Sequence, residues 1–157
     1  MNATTPKGRE ALAWAEDGLR AIETKFPNVR FERFADESPA DVDGVVVERG
    51  IVTGIYEVKA RLMSIKQFDV YKREWLVSYS KIQRGVTLSK MLHVKMVGVL
   101  VLVSDKTVLV QTLVDSEGEI IVPMRIERTA TQKCINGGAA VRANAFIDMN
   151  KATVLSF

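Results

Sequence analysis

Side chains in a β-strand alternate between two faces, and that rule constrains the stretch from Asp43 to Lys59 more than any other part of the chain. Val45 to Val47 form an apolar run directly behind Asp43. Glu48, Arg49 and Gly50 make a polar turn, and a second strand runs from about Ile51 to Lys59. It closes on Glu57-Val58-Lys59, so Glu57 and Lys59 share one face and Val58 takes the other. A hairpin that carries Asp43 up to this end gathers two carboxylates and an ammonium on an apolar scaffold. Burying such charges is costly unless they are paired or hold a metal.

Whether the charges meet is a matter of register. A two-residue turn at Arg49-Gly50 pairs Glu48 with Ile51 and sets Asp43 against Tyr56, which puts Glu57 on the face opposite to Asp43. Asp43 stands opposite Glu57 only if the loop holds three residues, Arg49 to Ile51, or if a bulge inserts one residue near Gly54. A three-residue loop usually ends in left-handed backbone, a poor place for the β-branched Ile51. The bulge at Gly54 is therefore the expectation.

The flanking elements are read from capping and spacing. Thr5-Pro6 reads as an N-cap followed by proline at the first helical position, opening a helix to about Lys25, where Phe26-Pro27-Asn28 ends it. Leu12, Ala15, Leu19, Ile22 and Phe26 recur at helical spacing as its buried stripe. Val29 to Phe34 alternates as a first strand, and residues 35–40 read as a loop. After the hairpin, Ser64 is expected to cap a long helix reaching about Gln83, with Gly85 as its stop. Ile65, Phe68, Trp75, Tyr79 and Ile82 make its apolar face, with Trp75 and Tyr79 read as core. Lys66, Lys72, Arg73, Lys81 and Arg84 lie on or beside the other faces.

Val86 to His93 reads as a short helix or loop. Val97 to Val103 has the length and continuous apolar character of a buried central strand. Val108 to Val114 and Glu119 to Glu127 read as two strands joined at Asp115-Ser116-Glu117-Gly118. Gly137-Gly138 breaks the chain, and Val141 to Met149 supplies a last strand.

Bulk properties exclude several classes. The 157 residues predict one domain, 1–157, large enough for a real core. The longest apolar run, Met96 to Val103, is far too short to span a bilayer, and the opening MNATTPKGRE has no apolar segment to act as a signal peptide. No membrane partner is expected. One cysteine, Cys134, excludes an internal disulfide framework and fits a reducing cytoplasm, and the single His93 excludes histidine-rich metal sites. The net charge of +3 is unevenly spread. Between Lys59 and Lys95 nine Lys or Arg stand against two acids, Asp69 and Glu74, leaving about −4 on the remainder. A segment this basic suits either a phosphate-facing surface or a solvated helix face.

The set Asp43, Glu57 and Lys59 resembles the signature of the PD-(D/E)XK nuclease superfamily, in which an acid opens one strand and E-x-K closes the next. Ser38-Pro39-Ala40-Asp41 stands where that family often has its Pro-Asp pair. Asp41 thus competes with Asp43 for the first acidic role, and Asp43 is preferred because the apolar run starts directly behind it. The resemblance spans roughly Gly8 to Ser104. It implies a restriction-endonuclease-like α/β fold, a central mixed β-sheet flanked by helices, here with extra C-terminal β-strands. It further implies an acid on the first helix directed at a metal, with Glu16 preferred and Glu10 and Glu23 as rivals. Gln67 and Tyr71, four residues apart, resemble the Q-x-x-x-Y element of RecB-like members, where both residues help to hold DNA.

What the resemblance implies chemically is hydrolysis of DNA phosphodiester bonds with Mg²⁺ or Mn²⁺. Asp43, Glu57, the backbone carbonyl of Val58 and Glu16 would hold the metal, and Lys59 would orient or deprotonate the attacking water or stabilise the phosphorane. Nearby metal would depress the pKa of Lys59. Lys66, Lys72 and Arg73, with Gln67 and Tyr71, are the expected DNA contacts. Small size favours a structure-specific, repair, recombination or phage-type nuclease over a sequence-specific restriction enzyme. The alternatives are an end-processing exonuclease on DNA or RNA, and a non-catalytic nucleic-acid-binding or assembly protein. Apolar strands beyond Asp105 need cover, from the same subunit or from a second chain, and a homodimer would suit cutting both strands of a duplex.

Overall fold

The computed structural model describes residues 5–35, 41–133 and 139–157. Helix α1, Pro6–Lys25, opens as expected, the Thr5 side chain accepting a hydrogen bond from the Gly8 N–H at 3.0 Å. Strands β1, Val29–Arg33, β2, Gly44–Glu48, and β3, Ile51–Arg61, form an antiparallel meander. Arg49 and Gly50 both have positive φ, 50° and 78°, as a tight two-residue hairpin turn requires.

The next segment departs from expectation. In place of one helix to Gln83, helix α2 covers only Ile65–Val70, strand β4 covers Glu74–Ser78, and helix α3 covers Tyr79–Leu92. Lys72 and Arg73 take left-handed backbone, φ 56° and 54°, and the Glu74 N–H closes the turn on the Tyr71 carbonyl at 3.0 Å. Tertiary pairing overrides the helical spacing here. β4 pairs antiparallel with β8, Ala139–Asp148, setting Trp75 opposite Ile147, and Trp75 fits over Gly98, where a Cβ would meet its ring at 2.7 Å. Trp75 is core, as expected, although from a strand. Gly85 does not stop α3 but lies within it, packed on Met96, and the helix ends at His93 in left-handed backbone.

Strand β5, Lys95–Leu102, is the expected buried strand and runs parallel to β3. A 3₁₀ turn, Val103–Asp105, leads to β6, Thr107–Val114, antiparallel to β5. The strand expected over 119–127 is displaced. Ile120 makes a single bridge to Val114, and β7 runs from Met124 to Lys133. Pro123, with no N–H to donate, fits the gap between them. β9, Thr153–Ser156, too short to stand out by alternation, joins the far edge of β6. Gly137-Gly138 and Ser38 to Ala40 lie outside the described residues.

The result is an α/β arrangement of a mixed six-stranded sheet, ordered β1-β2-β3-β5-β6-β9, and a three-stranded sheet, β4-β8-β7. α1 covers one face of the large sheet, packing Ala15, Leu19 and Ile22 on Tyr56, Val58, Val99 and Val101. The other face packs α3 and the small sheet through Ile55, Leu100, Ile82, Trp75 and Ile147. Val108, Leu109, Leu113, Val114 and Val122 are buried within the one chain, so much of the cover sought from a second subunit is supplied internally. Among the described residues no helix is long and apolar enough to cross a membrane.

Candidate active site

The hairpin reaches its charged end through the anticipated bulge. Val46 pairs with Gly54 and Val47 with Val52, so Thr53 is the extra residue, immediately before Gly54. Beyond it the pairing Gly44↔Tyr56 holds, and the Asp43 N–H donates to the Tyr56 carbonyl at 3.0 Å. Gly44 matters here because a Cβ would run into the Glu32 carbonyl and lie 2.9 Å from the Arg33 Cα. Without a side chain, β1 can close on β2 directly behind Asp43. The Asp43 carboxylate then accepts the Val58 N–H at 2.8 Å, which ties it to the middle of Glu57-Val58-Lys59. It is this N–H of Val58 that meets Asp43, while the Val58 side chain packs beneath α1.

Alternation along β3 sends Glu57 and Lys59 toward α3. Glu57 is fully buried, and its Oε1 accepts a 2.6 Å hydrogen bond from Lys81 Nζ, with Lys59 Nζ at 3.8 Å. Its Oε2 is buried and has no hydrogen-bond partner. Burial, and after it the Asp43 charge, push the Glu57 carboxyl above its usual range, against the pull of Lys81 and Lys59. Lys59 is pushed the opposite way. Burial lowers its pKa and Lys81 adds repulsion, while Glu57 and Asp43 oppose the shift. The site thus gathers two carboxylates and two ammoniums at the end of one strand.

Helical spacing does not reveal Lys81. On one continuous helix it falls on an outer face, and only the break between α2 and α3 turns it toward Glu57. No glycine or proline marks that break.

Other expected site residues lie elsewhere. Glu16 is on the α1 side of the sheet and binds Arg33 Nη1 at 3.0 Å, lining a small hollow with Glu23 and Tyr56. Asp41 faces Arg84, 3.6 Å from its Nε, which leaves Asp43 as the acid joined to β3. Gln67 is used locally: its Oε1 accepts from the Ser64 N–H at 2.8 Å, and its own N–H donates to the Ser64 hydroxyl at 3.2 Å. Tyr71 is the exposed C-cap of α2. Arg73 pairs with Asp69 at 2.5 Å, whereas Lys66 and Lys72 are exposed and, among the described residues, in no ion pair.

Among the described residues no group of three or more His, Cys, Asp or Glu could hold a metal ion. Two carboxylates are nevertheless a fitting set for Mg²⁺, which is usually bound through one or two of them, keeping waters and taking substrate phosphate oxygens. The unpartnered Glu57 Oε2 is an acceptor such an ion would satisfy. No family model, curated protein or solved structure matches the chain.

Proposed function

We propose that the chain is a metal-dependent nuclease that hydrolyses DNA phosphodiester bonds, built on a restriction-endonuclease-like core. The observation that carries this reading is the convergence of Asp43, Glu57 and Lys59 at one end of β3, held there by the Thr53 bulge and the Asp43–Val58 hydrogen bond. The order helix, three-stranded meander and, after α2, β4 and α3, a strand parallel to the third supports this reading, although β4 interrupts the single helix that the resemblance implied.

Asp43 and Glu57 would hold Mg²⁺ or Mn²⁺, with the Val58 carbonyl as a further ligand. The metal would supply a water of lowered pKa and a Lewis acid for the phosphate. Lys59, whose ammonium is destabilised by burial, is suited to positioning that water or accepting its proton. Lys81 pairs with Glu57 and, if a metal took its place there, would be free to meet the phosphate. Lys66 and Lys72 offer uncommitted charge to the backbone of the nucleic acid.

A second reading is a non-catalytic nucleic-acid-binding protein of the same architecture. It draws on the Lys81–Glu57 bond, which already satisfies one oxygen of the buried acid. Incubation with supercoiled, single-stranded and branched DNA, with and without Mg²⁺, separates the two. Metal-dependent cleavage that disappears in Lys59→Ala, with the fold intact, is the expected result. Unaltered cleavage in that variant would sink the assignment, and binding without turnover on any substrate would favour the second reading.

A further inference from the structure

A cleft of about 570 Å³ opens beside the candidate active site, in the size range of small-molecule sites. It continues the same strand face. Arg61 is two residues beyond Lys59, hence on the same side of β3 and roughly 6.6 Å along it, and Arg61 lines the cleft. Leu100, the register partner of Lys59 on β5, lines it too. Its walls are rich in rings, with Phe68 and Tyr71 from α2 and its C-cap, Trp75 from β4 and Phe146 from β8.

Three features point to a flat, hydrogen-bonding, negatively tethered occupant. Exposed Tyr71 offers a π-face, buried Phe68 and Trp75 contribute apolar lining, and the Arg125 guanidinium lies 3.9 Å over the Phe146 ring. The Trp75 indole N–H is buried without an acceptor, although buried donors are nearly always paired. The charges divide into two groups. Glu74 and Glu127 are both taken by Arg125. Arg61, in contrast, bonds the carbonyl of its own neighbour Ala60 at 3.4 Å, and Lys72 is in no ion pair among the described residues. The surplus charge at the cleft is therefore positive, and Arg61 carries part of it at an exposed position.

We propose that this cleft receives an unstacked nucleobase of the strand being cut, with Arg61 and Lys72 meeting the phosphates that flank it. The inference rests on the nuclease reading and narrows it to a substrate class. Extruding a base from an intact duplex sacrifices its pairing and stacking, and the cost is least where the base is mismatched, damaged or already single-stranded. The preferred substrates are accordingly single strands and duplexes with an unpaired nucleotide at the cut.

The test compares two six-unit oligodeoxynucleotides, one of thymidines and one fully abasic, carrying the same phosphates. Binding is measured by fluorescence anisotropy at low salt with Ca²⁺ in place of Mg²⁺. Stacking of one base on aromatic side chains predicts that the thymidine strand binds roughly 5- to 100-fold more tightly. Leu76→Trp, which fills the cleft from a half-buried position on β4, should bring that ratio near one and leave abasic affinity unchanged. Tyr71→Ala, at an exposed position that adds nothing to the core, should lower the ratio in the same direction and guards against misfolding of the tryptophan variant. A wild-type ratio of one, or a ratio unmoved in both folded variants, overturns the base pocket and leaves the nuclease reading standing. Failure of wild type to bind either strand, together with no cleavage of any substrate, overturns the nuclease reading and the pocket with it.

Discussion

The Glu57 carboxyl is raised by burial first and by Asp43 second. A carboxyl whose folded pKa lies above its unfolded value costs stability as pH rises between those two values, since the unfolded chain then ionises more readily. The metal-free protein should therefore lose stability from the ordinary glutamate pKa of 4.5 up to the raised folded value. Asp43→Asn keeps an acceptor for the Val58 N–H and removes the second cause, so this loss should shrink by about 1.4 kcal/mol for each pKa unit that Asp43 contributes. Thermal melts of both proteins across that window check it, and an unchanged pH profile would mean that the two carboxylates do not interact. Lys81 permits a complementary test. Lys81→Met removes a charge-assisted hydrogen bond to a buried acid and should cost about 2 kcal/mol at neutral pH without metal. Added Mg²⁺ should then raise the Tm of Lys81→Met more than that of wild type, because no ammonium competes for Glu57. Equal or smaller stabilisation would argue against a metal at this carboxylate.

At the scale of elements, what is legible in the sequence is whatever local chemistry decides. The Thr5-Pro6 cap, the β2–β3 hairpin and the apolar β5 each obey rules confined to a few residues, and each is found where expected. The bulge is legible for the same reason, since strand period and turn length leave few registers that unite Asp43 with Glu57. The α2–β4–α3 segment is not. Trp75, Tyr79 and Ile82 have helical spacing, and what converts residues 74–78 to a strand is β8, about 70 residues later in the chain. The approach of Lys81 to Glu57 depends on that conversion, and the local capping role of Gln67 on the short α2 is equally hidden by it. Packing of α1 invites a direct test at Gly18. A Cβ there would strike Val101 and approach Val108 Cγ2 at 3.3 Å, and both valines are buried in the sheet and stiff at χ1. Alanine gains up to about 1 kcal/mol of helix propensity, against about 1–3 kcal/mol for overpacking. Gly18→Ala should therefore lower stability in denaturant titration, and a gain would show that α1 docks with room to spare.

For the whole molecule, the relevant quantity is how charge meets a polyanion. Arg73 is engaged by Asp69, so the uncommitted cations of the α2 region are Lys66 and Lys72. Replacing both by alanine should weaken DNA binding and reduce the slope of log affinity against log salt by about 0.7–0.9 for each phosphate no longer neutralised. An unchanged slope would return this surface to ordinary solvated charge. The long-range fit of the two sheets gives one more consequence, and it concerns inheritance. β3 is held at its start by the hairpin with β2 and at its end by eight paired residues of β5, and Thr53 is the spare residue that lets both hold together. Loss of that single codon would set the two halves of the strand out of phase, turning Glu57 and Lys59 toward α1 or tearing the hairpin from the sheet. Point substitutions across Val52 to Gly54 leave the residue count intact and hence the phase. A lineage of such chains should thus vary freely in what occupies the Thr53 position while keeping its length there constant.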